Sequence, residues 1–458
     1  MHARIAATIL RMLSRHWPLA IILATYLVIG GLFSVRVPAW QNPDEPAHWN
    51  YTRQFVQTGR LPVIEPADWD VKLVPLGPDQ RDVPVERLTY EDHQPPLFYL
   101  VTSPAYAFTG GNLVAMRLAS LLIGALTIIL VYLTVAIIFP ARLYLAAFAA
   151  AFAGLLPQHL FIMSGYNNDS LSEALLALVV YLSVRAIRDE QDLSRGAVIA
   201  LGVAVGVCFW TKAQAYLALP VAAFALWRTC WDAPDARRKA VRRLVTLLGV
   251  SLLIGLPWWV HNVQMYGGTD FLGLQHHNEV VVGQPTTAEW ILQYGFGGVI
   301  ARLLQTTFQS FWGQFGWMTI PLQTPFYLLL LAFTLVSAGL FVTWWLNVRS
   351  AKRSHDANIH SSNIVLSETQ SRRLVLLAVL MGLTVLAFIW YNLQFVQHQG
   401  RYLYPALIPV STAFALGWAF PFSRRENIAR WLWLVMLIGL SAFNGHLLLR
   451  VILPAMKA

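Results

Sequence analysis

The sequence predicts an all-α integral membrane protein of about eleven transmembrane helices, with a long extracytoplasmic loop after the first. Three observations predict it. Only 12% of its 458 residues are charged and 57% are hydrophobic, whereas a soluble domain carries roughly 25% charge. Long apolar runs recur, most of them near the ~20 residues that a spanning helix needs. Lys and Arg cluster in alternate segments between these runs, as cytoplasmic loops do.

The runs are Trp17–Val35, Leu113–Phe139, Leu143–Met163, Leu171–Ile187, Gly196–Trp210, Ala213–Trp227, Leu244–His261, Pro325–Leu346, Leu374–Leu393, Leu403–Phe420 and Trp431–Arg450. The fifth and sixth are short and meet at Thr211-Lys212, as a tight hairpin or a re-entrant pair. The first follows a basic start (Arg4, Arg11, Arg15) and imitates a signal peptide. Val35-Arg36-Val37-Pro38 is a poor cleavage site, so the run is read as an uncleaved span.

The basic segments are Arg142; Arg185, Arg188 and Arg195; Arg237, Arg238, Lys239, Arg242 and Arg243; Arg349, Lys352, Arg353, Arg372 and Arg373; and Arg424, Arg425 and Arg430. With eleven spans all of them fall on the side of the N-terminus, which is then cytoplasmic. The expected setting is a bacterial inner membrane, with 1–458 as one polytopic domain. The net charge of +10 then marks inner loops. No aromatic-basic nucleic-acid module is present, and no nucleic-acid partner is expected. The 18 tryptophans suit interfacial belts among membrane lipids. The two cysteines, Cys208 and Cys230, lie in or beside apolar runs, which gives neither a disulfide framework nor a thiolate metal site.

Outside, the expected topology leaves two long loops, 36–112 and 262–324; inside, a polar connection spans 348–373. The first loop holds most of the acids: Asp44, Glu45, Glu65, Asp68, Asp70, Asp79, Asp82, Glu86, Glu91 and Asp92. It opens on QNPDEPAHWNY, in which Asp44-Glu45 sits between Pro43 and Pro46 and His48 follows. Proline fixes φ and biases its predecessor to extended backbone. If Pro46 opens a helix, Glu45 lies at its N-terminus, where negative charge is favoured; a plain acidic cap is the structural alternative.

The loop closes on EDHQPPLFY, where Pro95-Pro96 can start an amphipathic helix. GYNNDS, Gly165–Ser170, offers oxygen donors for a hard cation, or equally an Asx turn and helix cap. Lys212 stands alone between two apolar runs, and HQGRYLYP places Arg401 at the mouth of the tenth. A cation at membrane depth is costly and points to function, although such side chains also snorkel. Two on the outer side indicate an anion pocket, since Arg binds phosphate bidentately and Lys as a point charge. Arg53 and Arg117 are weaker members of that set. SFWGQFGWM, Ser310–Met318, brings aromatic faces and the Gln314 amide to a sugar or lipid site, or forms an interfacial segment. His261, His276 and His277 are read as loop residues; the His276–Glu279 spacing alone is weak evidence for zinc.

These residues resemble those of the polyprenyl-phosphate-sugar-dependent membrane glycosyltransferases of the GT-C fold. Asp44-Glu45 looks like the first-loop Asp-Glu pair of the protein O-mannosyltransferases. HQPPLFY followed by Arg117-Leu118, and GVCFWTKAQAYLALP around Lys212, look like segments of the lipid A aminoarabinose transferases. PDEPAH, HQPPLFY, FWGQFGWM and QGRYLYP together resemble an uncharacterised bacterial multi-pass family grouped with them. The resemblance implies inverting transfer of a sugar from a polyprenyl phosphate to an acceptor of unknown kind. Asp44 would be the base, Glu45 would position the acceptor or ligate an ion, and Lys212 and Arg401 would hold the departing phosphate. His48, His93, Gln94, Tyr99, Asn168, Asp169 and Gln314 would contact substrate. No cofactor is certain. A divalent cation is left open, with Glu45 and Asp169 as weak ligands, because NND is poorer in acid than the metal-binding motif of the oligosaccharyltransferases.

The charge logic holds without the name. Sugar transfer leaves positive charge on the sugar and negative charge on the leaving oxygen, which a carboxylate and nearby cations stabilise. A transporter or flippase of lipid-linked glycans is the alternative. It calls for mid-membrane charges and an internal repeat, and the repeat is not visible. A binding or assembly subunit without activity is a third reading.

Overall fold

The computed structural model describes residues 15–69, 84–188, 193–230, 235–353 and 366–457. Arg4, Arg11, Asp70, Asp79, Asp82 and residues 354–365 of the expected inner connection lie outside them. The architecture is all-α apart from one two-residue hairpin. In order, the helices are α1 (Trp17–Arg36), α2 (Glu45–Thr58), α3 (Leu97–Thr109), α4 (Leu113–Ile138), α5 (Leu143–Leu155) and α6 (Pro157–Met163). There follow α7 (Asp169–Ala186), α8 (Arg195–Cys208), α9 (Ala218–Arg228), α10 (Ala236–Tyr266), α11 (Leu274–Val280) and α12 (Thr287–Trp312). The antiparallel strands β1 (Gln314–Phe315) and β2 (Ile320–Pro321) precede α13 (Thr324–Arg353) and α14 (Glu368–Asn392). The chain ends in α15 (Leu407–Ala419), α16 (Glu426–Ala429), α17 (Leu432–His446) and α18 (Leu453–Lys457).

Among the described residues, seven helical segments are long and apolar enough to cross a membrane, or eight if the bent pair α5–α6 counts as one span. All eleven expected runs are helical, yet three fall short of that test for identifiable reasons. The chain at α7 carries Asp169, Glu173 and Arg185 within 18 residues. The expected fifth and sixth runs become α8, of 14 residues, and α9, of 11, separated by a 3₁₀ turn at Ala213–Leu217. Each is shorter than the ~20 residues that cross a bilayer straight.

The centre of the bundle is α5, whose residues from Leu145 to Leu155 are all buried. Its sequence is largely alanine, and small side chains let helices approach closely. It packs against α4, α15, α17 and α1, while α4 packs on α7, and α8 on α10. Pro157 breaks the run that continues into α6, bending the axis by 64°. The bend directs α6 and the GYNND turn across one end of the bundle. Asn444 Nδ2 on α17 donates to the Leu155 carbonyl at 2.8 Å, supplying a partner at the break. Inside a bilayer such a carbonyl has no water to turn to.

Replacing Asn444 with Leu leaves that carbonyl without its side-chain donor. A buried unsatisfied group costs about 1–3 kcal/mol, so the detergent-solubilised Asn444→Leu protein is expected to unfold at lower temperature than wild type. Equal midpoints would show that the bond contributes nothing.

Candidate active site

Asp44 and Glu45 diverge in the fold. Asp44 is the residue before α2 and adopts φ 64°, a left-handed conformation that a non-glycine residue rarely takes. Its side chain keeps 19% exposure, while that of Glu45, the first residue of α2, has none. Pro46 lies in the first turn of the helix, where its fixed φ and missing N–H are tolerated. The strained turn sends the two neighbouring carboxylates in different directions.

Glu45 points into the bundle and meets Arg117 of α4. Arg117 Nε and Nη2 donate to its two oxygens at 2.7 and 2.6 Å. The remaining donors of Arg117 reach the carbonyls of Ser34, Val37 and Pro38 at 3.1, 2.7 and 2.9 Å. Glu45 also accepts from the backbone N–H of Trp40 and of Tyr166, at 3.0 and 3.1 Å. Arg117, expected among the phosphate-binding residues, therefore has every donor engaged inside the protein. Glu45, expected to position an acceptor or ligate an ion, has both oxygens engaged as well. The pair fastens the start of the first loop to the bundle.

Asp44 instead joins a cluster drawn from four parts of the chain. Arg401 Nη2 donates to its Oδ2 at 2.9 Å and Tyr90 Oη to its Oδ1 at 3.0 Å. Lys212 pairs with Asp169 Oδ1 at 2.5 Å, and Arg401 Nη1 stands 4.0 Å from Asp169 Oδ2. Arg401 sits in the 3₁₀ turn Gly400–Ala406. That turn lies so close to α12 that a Cβ on Gly400 would stand 2.2 Å from the Phe311 nitrogen. Lys212 precedes the 3₁₀ turn that opens the approach to α9. The Leu97 N–H donates to the Trp210 carbonyl at 3.0 Å, which ties the Pro95-Pro96 segment to that same turn.

Of the readings raised for the GYNND turn, the structure shows the Asx turn. Asn167 Oδ1 accepts from the Asp169 N–H at 2.9 Å, an Asx turn, while Asn167 Nδ2 donates to the Pro43 carbonyl beside Asp44 at 3.3 Å. Asn168 donates to Gln94 Oε1 at 3.2 Å, and Gln94 donates to Glu91 at 2.8 Å. His48 bonds to the Tyr99 hydroxyl at 2.8 Å, and the Tyr99 ring stacks on Tyr51. His93 lies against His277 of α11, with ring centroids 4.1 Å apart. Arg53 is not drawn in. It lies over the Trp49 ring and donates to the Glu86 carbonyl. Gln314 is held in the hairpin, donating to the Met318 carbonyl, and Trp317 of the same hairpin donates to the Trp40 carbonyl. The aromatic segment thus forms a tie to the first loop.

The charges of this cluster are set by burial working against neighbours. Burial pushes Asp44 up, but Arg401 and Lys212 hold it below the usual carboxylate range. Burial and then Lys212 push His48 down to about 3, leaving a neutral ring. Burial, reinforced by the charge of Asp44, pushes Glu91 up to about 8. Asp44 is therefore an ionised carboxylate facing a protonated one.

Arg401 holds the most telling feature. Its Nε and Nη1 are buried and have no hydrogen-bond partner among the described residues. A guanidinium with unused buried donors is an incomplete arrangement, and an anion with two oxygens completes it. A divalent cation fits less well. Asp169 and Glu45 each face a cation of the protein, and among the described residues no group of three or more His, Cys, Asp or Glu is placed to hold a metal. His276 reaches Glu279 at 3.6 Å with no third ligand beside them.

Three residues escape sequence reasoning. Tyr90 meets Asp44 across 46 positions, and no local spacing marks such a contact. His159 and Glu173, paired at 2.9 Å within the bundle, belong to runs that read as plain spans. An acid inside an apolar run was the available signal.

A family model of predicted membrane proteins, DUF2142, matches residues 83–410. No curated protein matches the chain by sequence. Among solved structures the chain is similar to ArnT from Cupriavidus metallidurans in two states. Against ArnT bound to undecaprenyl phosphate the TM-score is 0.51 at 16% identity, covering 95% of this chain and 73% of ArnT. Against apo ArnT the TM-score is 0.54 at 17% identity, covering 97% and 74%. The likeness shows the fold: the GT-C-like all-α membrane architecture expected from the sequence.

Two outcomes test the electrostatics. Removing one partner of a buried ion pair costs about 3–5 kcal/mol, so Glu45→Gln should lower the unfolding temperature markedly, and an unchanged temperature would contradict the tie. Glu91 binds its proton more tightly folded than unfolded, so folding retains a proton between pH 4.5 and about 8. Stability contributed by that proton is present below this window and is lost as pH rises through it. The difference in stability between wild type and Glu91→Gln should therefore move against wild type across the window; a difference flat with pH would refute the shift.

Proposed function

Because the chain belongs to the DUF2142 family of predicted membrane proteins and pairs a partly exposed carboxylate with unsatisfied cationic donors, we propose that it transfers a sugar from a polyprenyl-phosphate donor to an acceptor at the outer face of the cytoplasmic membrane. The observation that carries the reading is Arg401, whose buried Nε and Nη1 lack partners among the described residues and lie beside Lys212's ion pair with Asp169. The donor phosphate occupies that fork, with Lys212 as a second positive charge. ArnT, which shares the fold, has been crystallised with undecaprenyl phosphate, and the proposal extends that class of ligand to this chain.

Asp44 takes the proton of the acceptor hydroxyl. The hydroxyl oxygen bonds to the anomeric carbon, the bond from that carbon to the phosphate oxygen breaks, and polyprenyl phosphate departs against Arg401 and Lys212. A carboxylate held by a guanidinium is a weak base. Phosphate arriving at Arg401 shares its charge and loosens that hold, so the base strengthens only when donor is bound. In this reading the N-terminus is cytoplasmic and the cluster faces outward, where a lipid-linked donor already resides.

The test is sugar transfer in membranes supplied with a panel of radiolabelled polyprenyl-phosphate sugars. General base catalysis contributes roughly 10²–10⁴-fold. Asp44→Asn should lose that much at matched expression while still binding donor, and Arg401→Gln should weaken donor binding. Equal transfer by wild type and Asp44→Asn removes Asp44 as the base. No transfer with any donor, alongside movement of lipid-linked glycan across vesicles, moves the function to translocation.

A further inference from the structure

We propose that Tyr90 is the positioning residue for Asp44, holding the carboxylate in one orientation when an anion draws Arg401 away. The inference rests on the roles given to Asp44 and Arg401 above. Asp44 occupies the position from which an aspartate ordinarily caps its helix through a side-chain bond to backbone N–H groups. It makes no such bond. Its carboxylate is turned from the helix to the cluster, and two side-chain donors hold it: Tyr90 Oη on Oδ1 at 3.0 Å and Arg401 Nη2 on Oδ2 at 2.9 Å.

The two holders differ in kind. The guanidinium is a cation, and an incoming phosphate competes for it. The phenol is neutral, and phosphate attracts it less strongly than it does the guanidinium. Tyr90 is also firmly seated. Its residue is 4% exposed, its ring stands edge-on to Trp69 at 5.2 Å, and it packs with Ala47, Ile64 and Leu88. The hydroxyl therefore stays in place when Arg401 engages the donor.

A hydrogen bond to an anion stabilises the anion, so losing Tyr90's hydroxyl raises the pH at which Asp44 takes up a proton. The other groups facing Asp44 are left chemically unchanged by that substitution. They are Arg401 and Tyr402 before α15, Lys212 before α9, Glu91 of the first loop, His48 of α2, His277 of α11 and Tyr391 of α14.

The experiment measures binding of undecaprenyl phosphate to the purified full chain as a function of pH. It compares wild type, Tyr90→Phe, Asp44→Asn and Tyr90→Gln. Protonation of Asp44 releases Arg401, so wild-type affinity should rise as pH falls through that titration. Titration of the phosphate itself is common to all four proteins. Asp44→Asn should lack the step. Tyr90→Phe should show it roughly one pH unit higher, the size expected for one bond to a charged acceptor. Tyr90→Gln, whose amide also donates, should bring it back toward wild type and guards against a folding defect in the first variant. A step present in wild type, absent in Asp44→Asn and unmoved in Tyr90→Phe overturns the inference alone. A step that persists in Asp44→Asn, or no binding by wild type, overturns the roles of Asp44 and Arg401 and the inference with them.

Discussion

Burying an arginine and a glutamate in a membrane protein costs several kcal/mol per ion unless their hydrogen-bonding capacity is met. Arg117 and Glu45 meet it completely. All five guanidinium N–H groups are engaged, and the carboxylate accepts four bonds. The partners come from the end of α1, the start of the first loop and the turn before α7. One ion pair thereby joins residues 34–45, α4 and the turn before α7, three segments that are distant in sequence. Its location explains the backbone at Asp44. With Glu45 pulled inward at the start of α2 and Pro46 in its first turn, the residue before the helix takes the left-handed conformation, and its carboxylate faces the opposite way.

The pair also separates scaffold from chemistry. The inner carboxylate has no open lone-pair direction, while the outer one meets Arg401 and Tyr90 and keeps partial exposure. Around it, two cation–carboxylate pairs lie close enough for Arg401 to approach both acids. Such a cluster is stable without ligand because its charges cancel. It is receptive because Arg401 retains donors that no group among the described residues satisfies. Glu91, kept protonated by burial and by Asp44, adds no further negative charge where a phosphate would sit.

Hydropathy is a local property, and the helical character of all eleven runs was therefore legible. Their crossing capacity was less so. Asp169 and Glu173 lower the apolar character of α7, and the turn at Lys212 cuts one region into two short helices. Asp44, Asp169, Lys212 and Arg401 stood out because charge near a membrane is costly without a purpose, and the fold brings these four together. The same rule could not distinguish Arg117, since a satisfied cation and an open one look alike in sequence. Tyr90 carried no charge to draw notice, and Gln314 drew notice through neighbours that turn out to form a hairpin tied to Trp40.

The central claim is that Arg401 and Lys212 form a phosphate fork beside an ionised Asp44. A cryo-electron microscopy structure of the protein in nanodiscs with undecaprenyl phosphate tests it most directly. The account expects phosphate density within hydrogen-bond reach of Arg401 Nε and Nη1, with Lys212 turned toward it and Asp44 still bonded to Tyr90. Phosphate density at another site, with the Arg401–Asp44 and Lys212–Asp169 pairs unchanged, would contradict it.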